Sequence, residues 1–175
     1  VLWAKEVPLD FHARFSAINR LYRYVIFNHD IRPGILRHAV GWYHRPLDEV
    51  LMQQAADYLI GEHDFTSFRG PGCQAKSPIR DLQLLTVSRS RRMIIIEARA
   101  NAFLQHMVRN LAGVLLDVGA GRQPPAWAKE VLLAKDTSAA PMRAAPQGLY
   151  LVAVKYPDIY ELPPMPVGPF FLPNL

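Results

Sequence analysis

The residues best suited to chemistry in this sequence fall in two short stretches. Between Ala102 and Val118 apolar residues such as Phe103, Met107, Leu111 and Val114 recur at helical spacing, and the other side of that helix carries His106, Arg109, Asn110 and Gly113. A stripe made only for solvent would favour Glu, Lys and Gln. This one sets an arginine and an amide beside a glycine, which lets a backbone or a ligand come close. Two readings stay open: a plain solvent-facing stripe, or Arg109 lining a cleft where a half-buried guanidinium meets a carboxylate or phosphate. In the second stretch Arg20, Tyr22 and Tyr24 stand two residues apart, so they share one face of a strand. An aromatic ring beside cations suits an unstacked nucleobase and its phosphate. Tyrosines packed beneath a helix would show the same spacing, and spacing alone favours that packing role. Arg23 points to the opposite face.

Other chemistries find little support. The six histidines are scattered, with no pair at metal-ligand spacing, and no metal site or cofactor is expected. Cys73 is the only cysteine, which excludes an internal disulfide, and no Cys-His pair is visible around its Gly-rich loop. Ser67 lacks the setting of a nucleophilic serine. Gly119-Ala120-Gly121 follows a helix instead of opening one, so it reads as a helix stop.

The elements that must position these residues follow from periodicity. Ile18 to Asn28 alternates as a half-buried strand, with Leu21, Val25 and Phe27 on one side and Arg20, Tyr22, Tyr24 and Ile26 on the other. A helix is expected from about Asp48 to Ile60, closed by Gly61. Strands follow over Asp81 to Ser88 and Met93 to Ala100, joined by the basic turn Arg89-Ser90-Arg91-Arg92. The run Ile94-Ile95-Ile96 suggests a strand covered on both faces. After the helix at Ala102 to Val118, a third runs from Pro124-Pro125 to about Lys135, and Leu149 to Tyr156 forms the last strand. The expected fold class is α+β, a mainly antiparallel sheet with helices packed on one face. Residues 1–162 read as one domain portion, and 163–175, with five prolines between Pro163 and Pro173, as an extended arm.

At 175 residues, half of them apolar, the chain can bury one substantial core. Lys and Arg number 20 against 15 Asp and Glu, and the excess is uneven. From Arg14 to Arg45 six arginines face a single acid, Asp30, and from Arg69 to Arg92 six basic residues face only Asp81. Such stretches form either a solvated basic surface or a field that attracts a polyanion. No membrane span or signal peptide is visible, and a soluble cytoplasmic protein is expected. The chain starts with Val, and Val1-Leu2-Trp3-Ala4 reads like mid-strand, which suggests a shortened product.

Five segments carry a more specific resemblance. They are Asp10-Phe11-His12-Ala13-Arg14-Phe15-Ser16-Ala17, Tyr22-Arg23-Tyr24, the run from Gly61 to Arg69 (GEHDFTSFR), the run from Asn101 to Asn110 (NAFLQHMVRN), and Gly148-Leu149-Tyr150-Leu151. In order and spacing they resemble the tRNA pseudouridine synthase A family along the whole chain. The resemblance implies an isomerase that converts uridine to pseudouridine in the anticodon stem-loop of tRNA, without metal or organic cofactor, as a homodimer whose two subunits line positive clefts. It implies that Tyr22 stacks on the target uracil and takes part in removing the C5 proton, that Arg109 pairs with a catalytic aspartate, and that Leu149 packs in the same pocket. Arg14, Arg20, His106 and Asn110 are expected to contact the RNA.

One part of the family's pattern is missing. Its nucleophile lies in an Arg-Thr-Asp-Ala-Gly-Val-His motif, and none of the nine aspartates here sits in such a setting. The expectation is that this segment lies upstream and that these residues alone are inactive, with Arg109 facing an open pocket or an anion. The alternative is a non-catalytic tRNA-binding or dimerisation module.

Overall fold

A computed structural model describes residues 3–163 and 168–172. Six strands form one sheet: β1 Asn19–Asn28, β2 Gly41–Tyr43, β3 Gly61–Asp64, β4 Ile79–Ser90, β5 Met93–Ala100 and β6 Leu149–Lys155. Their order is β2-β1-β5-β4-β3, with β6 also paired to β1. Every pairing is antiparallel except the short parallel contact of β1 with β2. Three helices, α1 Glu49–Asp57, α2 Met107–Gly119 and α3 Trp127–Ala134, complete the α+β architecture.

The helices share one face of the sheet. Tyr24 and Ile26 of β1, Ile94 and Ile96 of β5, and Leu82 and Leu85 of β4 join the buried residues of all three helices in a single core. On the other face Val25 and Ile95 pack with Val40 and Leu172. All three isoleucines of the run at 94–96 are therefore buried, one facing away from the other two, as a strand covered on both sides requires. Arg23 lies on this second face, where its Nε pairs with Glu97 at 2.7 Å and its Nη1 donates to the Gly168 carbonyl at 3.0 Å. Of the Pro-rich arm, Pro163 and residues 168–172 are described, and Phe171 and Leu172 pack on this face; the rest of that expected arm lies outside the described residues.

Several boundaries differ from the periodicity for local reasons. Asp48 is the N-cap of α1, its carboxylate accepting from Val50 N at 2.9 Å and Leu51 N at 3.0 Å. Replacing Asp48 by alanine is expected to lower stability by about 1 kcal/mol, since two helix donors lose their acceptor. Urea titration of the two proteins checks this, with an unchanged midpoint the contrary result. Gly61 opens β3 at φ +114 and does not close α1, which ends at Asp57. Arg89 and Ser90 belong to β4, and the tight turn is at Arg91, in the left-handed region at φ 54. Trp3 and Ala4 lie in no strand, and Val1 and Leu2 fall outside the described residues.

The largest shift concerns α2. Residues 102–106, helical by periodicity, instead form an irregular approach, because their polar groups are engaged elsewhere. Asn101 accepts from Ala102 N and Asp81 N through its side chain, and the Gln105 carbonyl accepts from Gly70 N at 2.8 Å. His106 turns the chain into the helix at φ 63.

Candidate functional site

The site is built on β1. Tyr22 and Tyr24 both point to the helix side, yet they meet different surroundings. Tyr24 is 1% exposed and its hydroxyl donates to the Ala145 carbonyl at 2.8 Å. Burial pushes its pKa up to about 12, against a smaller opposing effect of the Arg109 charge, so it is a neutral packing residue. Tyr22 is half-buried, with its ring edge-on to Phe103 at 5.1 Å between centroids. Burial raises its pKa and the charge of Arg20 opposes the rise. Its β5 neighbour is Ala98, and next to it Arg20 faces Ala100, small residues that leave the ring room.

Tyr22 forms part of the wall of a cavity of about 680 Å³, with Arg14, Arg20, Arg80, Cys73 and His106 around it. Among the described residues, no carboxylate lines this cavity. The arginines are not equivalent. Arg20 gives its donors to backbone carbonyls, reaching Ala17 at 3.1 Å, Asn101 at 2.7 Å and also Arg14. It therefore binds the 14–17 turn to the loop before α2. Arg14 is exposed, its guanidinium 5.6 Å from the Phe15 ring centroid. Arg80 donates to the Ser77 and Ile79 carbonyls and keeps a buried Nε without a partner.

Arg109, Asn110 and Leu149 do not line the cavity but stand on the same side of the sheet. Arg109 is half-buried, and its Nε donates to the Ala144 carbonyl at 2.7 Å. Desolvation, followed by the charge of Arg143, lowers its pKa. No carboxylate pairs with it among the described residues. The guanidinium is thus neither sealed in apolar surroundings nor neutralised. Asn110 is 6% exposed, its amide donating to the Phe68 carbonyl at 2.7 Å. Leu149 begins β6 opposite Tyr24 and packs against the main core.

The stripe on α2 is therefore covered by protein at Asn110 and Gly113, while Arg109 stays half-buried. A Cβ on Gly113 would lie 2.7 Å from the Met142 carbonyl oxygen, so the close approach that this glycine permits is that of the loop before β6. His106 sits at the mouth of the helix, where burial first, and then the charges of Arg143 and Arg109, lower its pKa. Sequence reasoning missed Arg80, Phe103 and Arg143 here. The basic stretch from Arg69 to Arg92 was the only signal for the first, and a lone arginine in a loop gave none for the last.

Cys73 belongs to the same wall. Burial works to raise its pKa, but the Gln105 and Ala75 amides and the Arg69 guanidinium outweigh it and bring the thiol below its ordinary value. A larger space, about 970 Å³, lies along β6, where Trp3, Tyr150 and Tyr156 stand with Arg99 and Lys155, but the carboxylates of Asp158 and Glu161 also line it and oppose a positive field. Among the described residues no three His, Cys, Asp or Glu side chains could hold a metal ion, and no helix is long and apolar enough to cross a membrane.

Comparison with known proteins adds an independent line. A family model described as tRNA pseudouridine synthase matches residues 55–157. A tRNA pseudouridine synthase A of Coxiella burnetii (strain Dugway 5J108-111) is 58% identical over 173 residues, covering 99% of this chain and 66% of that protein. The protein of the same name from Vibrio parahaemolyticus is 55% identical over 174 residues, with 99% and 66% covered. That of Alcanivorax borkumensis is 52% identical over 174 residues, with 99% and 65% covered. The chain spans just under two thirds of the length of these curated relatives.

Proposed function

This chain belongs to the tRNA pseudouridine synthase family, and from that membership we propose that it supplies the base-holding side of a site that isomerises uridine to pseudouridine in tRNA. The observation that carries the reading is the cavity in which Tyr22 meets Arg14, Arg20 and His106 with no carboxylate among the described residues of its wall, and near it a guanidinium, that of Arg109, which no described carboxylate neutralises. The target nucleotide, in the anticodon stem-loop, leaves its stack so that its uracil lies on Tyr22. Arg109 holds ionised a carboxylate nucleophile that these residues do not contain, and Leu149, opposite Tyr24 on β6, packs beside the base-holding wall.

The chemistry explains why such walls are needed. The bond between N1 and C1′ breaks, the uracil turns, and C5 bonds to C1′. The proton then leaves C5 while N1 ends protonated, so atoms balance and no oxidant or reductant takes part. A detached base must be kept from drifting, which an aromatic wall and a closed pocket achieve. Tyr22 is half-buried with a raised pKa, so it is neutral at pH 7 and suited to taking part in the removal of that proton only with a base beside it. The protein acts in the cytoplasm as a homodimer, both subunits contributing to the tRNA surface.

Release of tritium from tRNA labelled at uridine C5 tests the reading. The 175-residue chain is expected to bind tRNA with marked salt dependence and to release no label, and release is expected once the segment carrying the nucleophile is supplied. Turnover by the 175 residues alone would overturn the assignment of the nucleophile. Binding without turnover after the segment is added points to the non-catalytic tRNA-binding module, and no tRNA binding at moderate salt overturns both.

A further inference from the structure

A second arginine reaches Arg109 from a part of the chain that the five family-like segments leave out. Arg143 lies in the loop between α3 and β6, and that loop is fastened to α2 and β1 at several points. The Met142 carbonyl fills the space beside Gly113 that a Cβ would need. Ala144 N donates to the Arg109 carbonyl at 3.1 Å, and Arg109 Nε donates back to the Ala144 carbonyl at 2.7 Å. The Tyr24 hydroxyl holds the next residue, Ala145. Arg143 is thereby set over α2, where its Nε donates to Asn110 Oδ1 at 3.3 Å. Asn110 in turn is fixed by its bond to the Phe68 carbonyl.

The two guanidinium groups are thus anchored in the same way. Each is held at Nε by a fixed oxygen, and the terminal nitrogens of neither are engaged by another described residue. Both side chains are half-buried, neither has a carboxylate partner among the described residues, and His106 lies within range of both charges. Two cations held together without an acid repel one another, and an anion between or beside them removes that cost. A guanidinium fixed at Nε with its outer nitrogens free presents a two-pronged donor that matches two oxygens of a phosphate. One of the two charges is accounted for: Arg109 faces the nucleophilic carboxylate. Arg143 is left over.

We propose that Arg143 binds a backbone phosphate of the RNA beside the nucleotide that Tyr22 receives. The proposal rests on the reading of this chain as acting on tRNA. Phosphate is favoured over a protein carboxylate because the adjoining cavity continues the positive surface through Arg14 and Arg80 without an acid in its wall. Asn110 is then a positioning residue, acting on the RNA through Arg143.

The test is tRNA binding by the 175-residue chain across a salt series from about 50 to 200 mM, where each phosphate contact contributes a fixed slope. Arg143→Gln is compared with Lys129→Gln, which removes the same charge from an exposed position on α3. Arg143→Gln is expected to reduce the slope of log K against log salt by about 0.7–0.9 and to weaken binding several-fold at moderate salt. Lys129→Gln is expected to leave the slope unchanged, and Arg143→Lys to restore most of it. Equal slopes for Arg143→Gln and Lys129→Gln would overturn the proposal while leaving the tRNA reading intact. A parent chain that binds no tRNA would overturn that reading, and this inference with it.

Discussion

Replacing Arg109 by alanine in a full-length, active protein is expected to lower the rate of pseudouridine formation by about a thousandfold, with tRNA affinity changed only a few-fold. The split follows from where the group sits. No described residue engages its outer nitrogens, and on the proposed reading they hold a carboxylate nucleophile ionised, so their loss is felt when charge moves in the transition state. That loss corresponds to about 4 kcal/mol. On the proposed reading most of the binding energy for tRNA comes from phosphate contacts spread over a large surface, to which one arginine adds little. Lysine should rescue poorly, because it keeps a charge but has no Nε to hold the Ala144 carbonyl. The same missing bond should cost about 1 kcal/mol of stability, visible as a small fall in melting temperature. Single-turnover rates measured at saturating tRNA decide the matter. An alanine variant within tenfold of the parent would remove Arg109 from the chemistry.

The second large effect is expected at Gly148, and it is a folding effect. This residue has φ +94, and a Cβ on it would lie 2.3 Å from the Val25 carbonyl oxygen and 2.7 Å from Gly41 N. Both neighbours are backbone, in β1 and β2, so no side chain can swing away to make room. Its carbonyl also accepts from Val25 N at 2.8 Å, and its movement would break that bond. Gly148→Ala is therefore expected to destabilise the protein by roughly 3 kcal/mol or more, which for a chain of this size lowers the melting temperature by about 10 °C. Gly34→Ala is the matched control. Nothing lies within 4 Å of a Cβ there, and that change should be neutral or slightly stabilising. Thermal melts of the two variants give the comparison directly, and equal melting temperatures would contradict the close packing at Gly148. Because Leu149 follows at once, the alanine should also disturb the pocket before the protein unfolds.

How much of this was legible in the sequence depends on how local the signal is. The alternation in β1 fixed its limits to within a residue, and Ile94-Ile95-Ile96 announced a strand buried on both sides. Gly113 was recognised as a place of close approach, though not what approaches it. The three-residue β2 was missed, since it has no room for a pattern and is defined by its partner β1. The start of α2 was misread because residues 102–105 fit a helical period, while Ala102 N is taken by the Asn101 side chain and the Gln105 carbonyl by Gly70 N. The site shows the same division. Tyr22 and Tyr24 look alike in sequence, two residues apart on one face. What separates them is the loop around Ala145 over one and the open space beside Phe103 at the other. The family-like segments supply Tyr22, Arg109 and Leu149, whereas Arg143 becomes visible only once its loop is laid across α2.

The pairing of β1 with β6 also governs when the site can come into being. Asn19 lies opposite Lys155 and Tyr24 opposite Leu149, so this ladder joins the two ends of nearly the whole described chain. Contacts so distant along the sequence are entropically slow to close and form only after the intervening elements have compacted. During synthesis on the ribosome, β1 and the β4–β5 hairpin can assemble early, but the edge of β1 at Tyr22 and Tyr24, which Leu151 and Leu149 cover, must wait until β6 has emerged. An interrupted translation product ending before β6 would carry Tyr22 and Arg109 with an unpaired strand edge where β6 should be, poised to associate with other chains.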